Sequence, residues 1–127
     1  MAFPVPPAVV NPRKRSKYHN RPTTIDGERF DSQREADRWS ELRLLERAGE
    51  IRNLRRQVSF TLHARNADRA AGTVGVYVAD FVYDEHVRAG ALAWELRVED
   101  CKGMRTPLYV WKKKHMLAEY GIAILET

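Results

Sequence analysis

Residues 74 to 83 read Val-Gly-Val-Tyr-Val-Ala-Asp-Phe-Val-Tyr, with apolar side chains at almost every position. Successive strand residues point to opposite faces, so a strand with no polar face has to be covered on both sides, which means a central place in a sheet. Its neighbours supply such a sheet. Gln57 to His63 alternates apolar and polar residues, the pattern of a half-buried strand that Gln57 opens. Residues 64 to 73 form a small, charged connection, and Ala91 to Lys102 is a further long strand, joined through a turn near Gly90. Together these predict a three-stranded meander.

Helices are expected on either side of it. Ser32 with Glu35 three residues on has the form of a capping box, and Ala36, Trp39, Leu42 and Leu45 recur at helical spacing before Gly49 stops the run. Thr106-Pro107 suits the cap and first position of a second helix, running through Trp111, Met116 and Leu117 to Tyr120 and closed by Gly121. Ile25 to Phe30 looks like a hairpin with an Asp26-Gly27 turn, and residues 122 to 125 suit a short last strand. The fold class is α/β of the α+β kind, in the order αβββαβ, a mixed sheet flanked by helices.

The 127 residues fit one domain. Prolines 4, 6, 7, 12 and 22 make residues 1–22 a poor helix or central strand, so they are read as a flexible arm ahead of a folded domain at residues 23–127. The net charge of +5 resides in that arm: Arg13, Lys14, Arg15, Lys17 and Arg21 stand there without an acid, while the rest of the chain balances 17 basic against 17 acidic residues. A basic arm gains phosphate contacts and salt-sensitive affinity for nucleic acid, although a solvated leader explains the same residues. The apolar start lacks the order of a secretory signal, and no run approaches the roughly 18 apolar residues of a membrane span, so a cytoplasmic protein with no membrane partner is expected. One cysteine, Cys101, and four scattered histidines set structural zinc aside.

Three acids and a lysine stand out against this frame. Asp80 interrupts the apolar central strand, where alternation puts it on the face of Val76, Val78 and Val82. A carboxylate there costs several kcal/mol, of order ~1–5, unless it is paired, hydrogen-bonded or bound to a metal. Asp100 and Lys102 are two apart, which in a strand holds both on one face, with Glu99 and Cys101 on the other. The lysine is itself a choice: the chain has 16 arginines and 6 lysines, and outside the arm lysine occurs only at 102 and 112–114. An ammonium can be tuned by its surroundings as a guanidinium cannot. Glu35, taken alone, is a helix cap; only the company of Asp80 and Asp100 suggests a site. Magnesium binds through one or two carboxylates, waters and phosphate oxygens, and such a site suits phosphodiester hydrolysis.

The blocks Lys17-Tyr-His-Asn-Arg-Pro-Thr-Thr-Ile-Asp-Gly-Glu-Arg-Phe-Asp-Ser-Gln-Arg-Glu-Ala36, Ile51-Arg-Asn-Leu-Arg-Arg-Gln57, Tyr77-Val-Ala-Asp-Phe-Val-Tyr83, Val98-Glu-Asp-Cys-Lys-Gly103 and the lysine-rich helix to Ile122 resemble, jointly and in order, short phage and prophage nucleases of the PD-(D/E)xK superfamily. The resemblance spans about residues 17 to 124. It implies a restriction-endonuclease-like fold, Mg²⁺ with Mn²⁺ able to substitute, duplex or branched DNA as substrate, and a place inside a phage's host cell; relatives of this size include Holliday-junction resolvases. On it Glu35 matches the helix carboxylate, Asp80 the Pro-Asp position with Ala79 for the proline, Asp100 the variable acid, and Lys102 the lysine. Glu35, Asp80 and Asp100 are thereby the expected metal ligands.

Gln57 and Lys112 are second-rank site candidates, and Lys113 and Lys114 join the arm as DNA-backbone candidates. Trp39, Trp94, Trp111 and the tyrosines at 77, 83 and 120 are read as core, and Cys101 as packing. A resolvase cuts two strands, which favours a homodimer. Three further readings stay open: a non-catalytic DNA-binding or assembly protein that keeps the fold, a non-selective duplex nuclease, and a nuclease for RNA.

Overall fold

The computed structural model describes residues 22–25, 27–65, 71–89, 91–102 and 104–127. The basic residues of the arm, and the turn residues Asp26 and Gly90, lie outside that set. Strands β1 (Thr23–Ile25) and β2 (Glu28–Phe30) form a small antiparallel hairpin. Helix α1 (Gln33–Arg47) follows, with the Ser32 hydroxyl accepting the Glu35 amide N–H at 3.1 Å. Then come β3 (Ile51–Arg65), β4 (Ala71–Ala89) and β5 (Ala91–Asp100), helix α2 (Pro107–Tyr120) and β6 (Leu125–Glu126). Thr106 caps α2 by accepting the Tyr109 N–H at 3.1 Å, and Gly121 ends it at φ +67°, a left-handed conformation that suits glycine.

The main sheet has the order β3-β4-β5-β6, antiparallel except that β6 runs parallel to β5. The expected meander and mixed sheet are therefore present, but its strands are longer than the sequence pattern suggests. β3 begins at Ile51, so Gln57 lies in its middle and does not open it. Residues read as a connection, 64–65 and 71–73, are paired strand. β5 ends at Asp100, leaving Lys102 just beyond the ladder.

The helices cover opposite faces. Val82 packs with Tyr109 and Met116 of α2, whereas its neighbours Phe81 and Tyr83 pack with Trp39 and Leu42 of α1. Further along β4 this assignment inverts: Tyr77 and Ala79, which regular alternation would group with Phe81, belong to the α2 side. β3 changes over as well, with Leu54 on the α1 side and Val58, Phe60 and Leu62 on the α2 side. The change falls between the ladder pairs Arg56↔Phe81 and Val58↔Ala79, which enclose Gln57 and Asp80. Gln57 has φ +51°, and one left-handed residue is enough to break the period of two.

Asp80 thus does not share a buried face with Val76, Val78 and Val82. Val82 is buried, while Val74, Val76 and Val78 are 48%, 43% and 42% exposed. Central position in the sheet does not bring cover along the whole strand. A 15-residue helix is about 22 Å long and a 19-residue strand about 60 Å, so α1 reaches only one half of β4. Trp111 and Tyr120, expected in the core, are also largely exposed, as is Leu45. Leu62→Ala, in the α2 core, is expected to cost about 2–5 kcal/mol in urea unfolding, and Val76→Ala on the uncovered face under about 1 kcal/mol.

Candidate active site

The register of β4 against β5, with Phe81↔Glu99 and Val82↔Val98, sets Asp80 across from Asp100. Asp80 sits at the inversion in β4, Asp100 at the end of β5, and Glu35 in the first turn of α1. Glu35 and Asp100 are buried, 5% and 1% exposed. The Glu35 carboxylate turns from the cap toward the sheet, where Gln57 Nε2 donates to its Oε1 at 3.2 Å and to Asp80 Oδ1 at 3.3 Å. Asp80 Oδ2 accepts the Cys101 backbone N–H at 2.8 Å, tying β4 to the residue after β5. Asp100 Oδ2 accepts the Tyr77 hydroxyl at 2.7 Å. Its Oδ1 is buried without a well-angled hydrogen bond, and its near neighbour is Lys102 Nζ at 3.0 Å. Lys102 is in turn held 4.5 Å from the Tyr109 ring centroid, and its carbonyl accepts from Arg34 at 3.0 Å.

Glu99, next to Asp100, points to the other face and is fully buried. Arg38 grips it with two bonds of 2.7 and 2.8 Å, and the Tyr83 hydroxyl also donates to it. Its carboxylate is thereby committed to joining α1 to the sheet. Removing the arginine leaves a buried charge unpaired, so Arg38→Ala is expected to lose about 3–5 kcal/mol of unfolding free energy in urea.

Burial and crowding act on the acids directly. Asp80 is pushed up to about 7 from 3.8, first by desolvation and next by the Asp100 charge, with the Cys101 N–H pulling the other way. Glu35 is raised by burial and then by Asp31, against Arg56 and Gln57. Because the folded value of Asp80 lies above the unfolded one, its contribution to stability is full below about 4 and lost as the pH rises through about 7. In metal-free protein, Asp80→Asn should therefore gain stability relative to wild type between about pH 5 and pH 8 in thermal unfolding, the gap widening with pH.

The remaining sequence candidates are placed less centrally. Lys113 is paired with Glu126 at 2.6 Å, Lys114 is exposed, and among the described residues no hydrogen bond or ion pair joins Lys112 to the acids. Cys101 is half-buried, its thiol pushed up to about 11 mainly by burial. Two neighbours of the acids have no site role in the sequence reading. Arg56 lies 3.9 Å from the Phe30 ring centroid, donates to Glu28 and the Arg29 carbonyl, and stands 3.8 Å from Glu35, so it locks the hairpin against α1. Tyr77 orients Asp100; a tyrosine read as core needs a partner for its hydroxyl, and that requirement was the available signal. An open groove of about 420 Å³ lined by Arg34, Asp37, Arg38, Glu41 and Thr127 includes none of the three acids.

As they stand, no three carboxylate, histidine or cysteine groups among the described residues converge closely enough to cage a metal ion. The donor set nonetheless suits a hard divalent cation: carboxylates only, crowded, with one buried oxygen of Asp100 lacking a hydrogen bond. Asp80, Asp100 and Glu35 would hold it, and Lys102 would stand beside it.

Comparison with known proteins matches residues 15–124 to a family model described as "Protein of unknown function (DUF1064)". No curated protein and no solved structure matches.

Proposed function

The chain belongs to the DUF1064 family, and from its site we propose that it is a metal-dependent DNA endonuclease with a restriction-endonuclease-like core. The observation that carries this reading is that Asp80, Asp100 and Glu35, from two strands and a helix, lie near enough to act on one another's charge, with Gln57 between Glu35 and Asp80 and Lys102 Nζ 3.0 Å from Asp100. Structural acids are usually paired one to one with bases, as Glu99 is with Arg38. Here burial and like charge push Asp80 up, a cost that protonation or a cation would relieve. The order αβββαβ and the match of these four residues to the PD-(D/E)xK pattern agree with it.

When bound, Mg²⁺ or Mn²⁺ would supply a water of lowered pKa and neutralise charge on a phosphate. The protein's own groups would do the rest. Asp80 and Asp100 orient the reacting centre, each fixed by a bond on its far oxygen, from the Cys101 N–H and the Tyr77 hydroxyl. Lys102 meets the negative charge that develops as water oxygen bonds to phosphorus and the bridging P–O bond breaks. The water's proton ends on solvent, and the leaving alkoxide takes a proton in exchange. Arg13, Lys14, Arg15, Lys17, Arg21 and Lys114 are proposed to hold the DNA backbone.

Branched DNA is the preferred substrate, on the resemblance to short PD-(D/E)xK nucleases that include Holliday-junction resolvases; resolution of a junction would call for a homodimer in the host cytoplasm. No helix among the described residues is long and apolar enough to cross a membrane. The basic charge of residues 1–22 suits, as a second reading, a DNA-binding protein that keeps the fold without the chemistry. A cleavage assay on a four-way junction and a matched linear duplex, with Mg²⁺ or Mn²⁺, separates the two. Wild type should cut, with the junction preferred, and Asp80→Asn or Lys102→Ala should cut at least about 100-fold more slowly. Equal products from wild type and Asp80→Asn would remove the assignment, and binding without cutting would favour the second reading.

A further inference from the structure

Two non-glycine residues of β3, Asn53 and Gln57, adopt left-handed backbone, at φ +55° and +51°. Asn53 has a local reason: the register of β3 against β4 shifts between Arg52 and Arg55, and asparagine tolerates this region well. Gln57 has neither. The ladder keeps one register from Arg55↔Val82 to Leu62↔Gly75 but has no pair between Gln57 and Asp80, where the strands change face; a glycine or asparagine would take that conformation readily, whereas it costs a glutamine roughly 1 kcal/mol. Conformations of this kind persist where the surroundings over-determine them, and they collect at functional sites.

The strained backbone serves the side chain. Gln57 Nε2 lies between two carboxylates on different elements, 3.2 Å from Glu35 Oε1 and 3.3 Å from Asp80 Oδ1. One primary amide nitrogen, with two hydrogens, satisfies two carboxylates from a single point, as a small cation does. An arginine or lysine there would put a fixed positive charge into the gap. A glutamine fills it without charge, and as an exposed residue it has solvent to swing into.

We propose that Gln57 is a stand-in for the divalent cation: its amide bridges Glu35 and Asp80 in the metal-free protein and must leave the gap for the ion to enter. The inference rests on the metal-dependent reading above and adds to it a residue that sets how tightly the ion is held.

The test is calorimetric titration of Mg²⁺ into the wild-type protein and into Gln57→Gly. Glycine accepts φ +51° without strain, so the variant keeps the backbone and loses only the amide; circular dichroism checks the fold. An ion entering the variant has no amide to displace, and its Kd should fall about fivefold or more. An equal or higher Kd would overturn the inference, a higher one marking Gln57 as a supporting ligand. Saturating Mg²⁺ should also move the Gln57 side-chain NH₂ resonances of wild type, identified by their loss in the variant, to the positions of solvated amides; resonances that stay put overturn it as well. If neither protein binds Mg²⁺ or Mn²⁺, the nuclease reading falls and takes this one with it, whereas failure of the inference alone leaves wild-type binding intact.

Discussion

Three carboxylates share a small space between α1 and the inner strands β4 and β5 of a four-stranded sheet, and much of the local structure keeps them there. Two like charges at short range in a medium poorer than water repel by several times what they would in solvent. The fold meets that repulsion piecemeal. A backbone N–H is given to Asp80, a tyrosine hydroxyl and an ammonium to Asp100, and a shared amide to Glu35 and Asp80. The donors come from β3, β4 and the segment after β5 and the acids from α1, β4 and β5, so loosening any one of them disturbs the others.

The sheet register sets Gln57, Asp80 and Asp100 side by side across β3, β4 and β5, and the inversion of β3 and β4 falls at the same place. Beyond Gln57 and Asp80 the strands pack α2 with the side chains that would otherwise face α1, and the two residues at the crossing are left pointing at the start of α1. The same crossing leaves Val74, Val76 and Val78 without a helix over them. Glu99 makes the contrast on the opposite face: an acid buried as deeply as Asp100, but with a guanidinium fork and a phenol closing around it. One carboxylate of the pair joins α1 to the sheet and the other is left facing Lys102.

Much of the architecture is legible in the sequence. The second helix runs from Pro107 to Tyr120 between Thr106 and Gly121 because caps and proline act over a few residues, a range that pattern reading captures. The meander follows from runs of apolar residues, which say where strands exist more reliably than where they end. What pattern reading misses is the change of face. Period-two logic groups Asp80 with Val82, and the change of face shared by β4 and β3, marked by the left-handed Gln57 on β3, is invisible in a string of letters. Arg56 is hidden for a related reason, since its partners Phe30, Glu28 and Glu35 come from elements that tertiary packing alone brings to β3. Glu35 reads as a cap, but the cap is Ser32, which accepts the Glu35 backbone N–H, while the Glu35 carboxylate accepts from Gln57.

The account turns on whether a divalent ion settles among these acids. Crystals soaked in Mn²⁺ and measured at the manganese absorption edge test that directly. The predicted result is an anomalous peak within coordination distance, about 2.0–2.6 Å, of Asp80 and Asp100 carboxylate oxygens, with Lys102 beside it. Soaks to saturation that leave this place empty, or that put manganese only at other carboxylates on the surface, would contradict it.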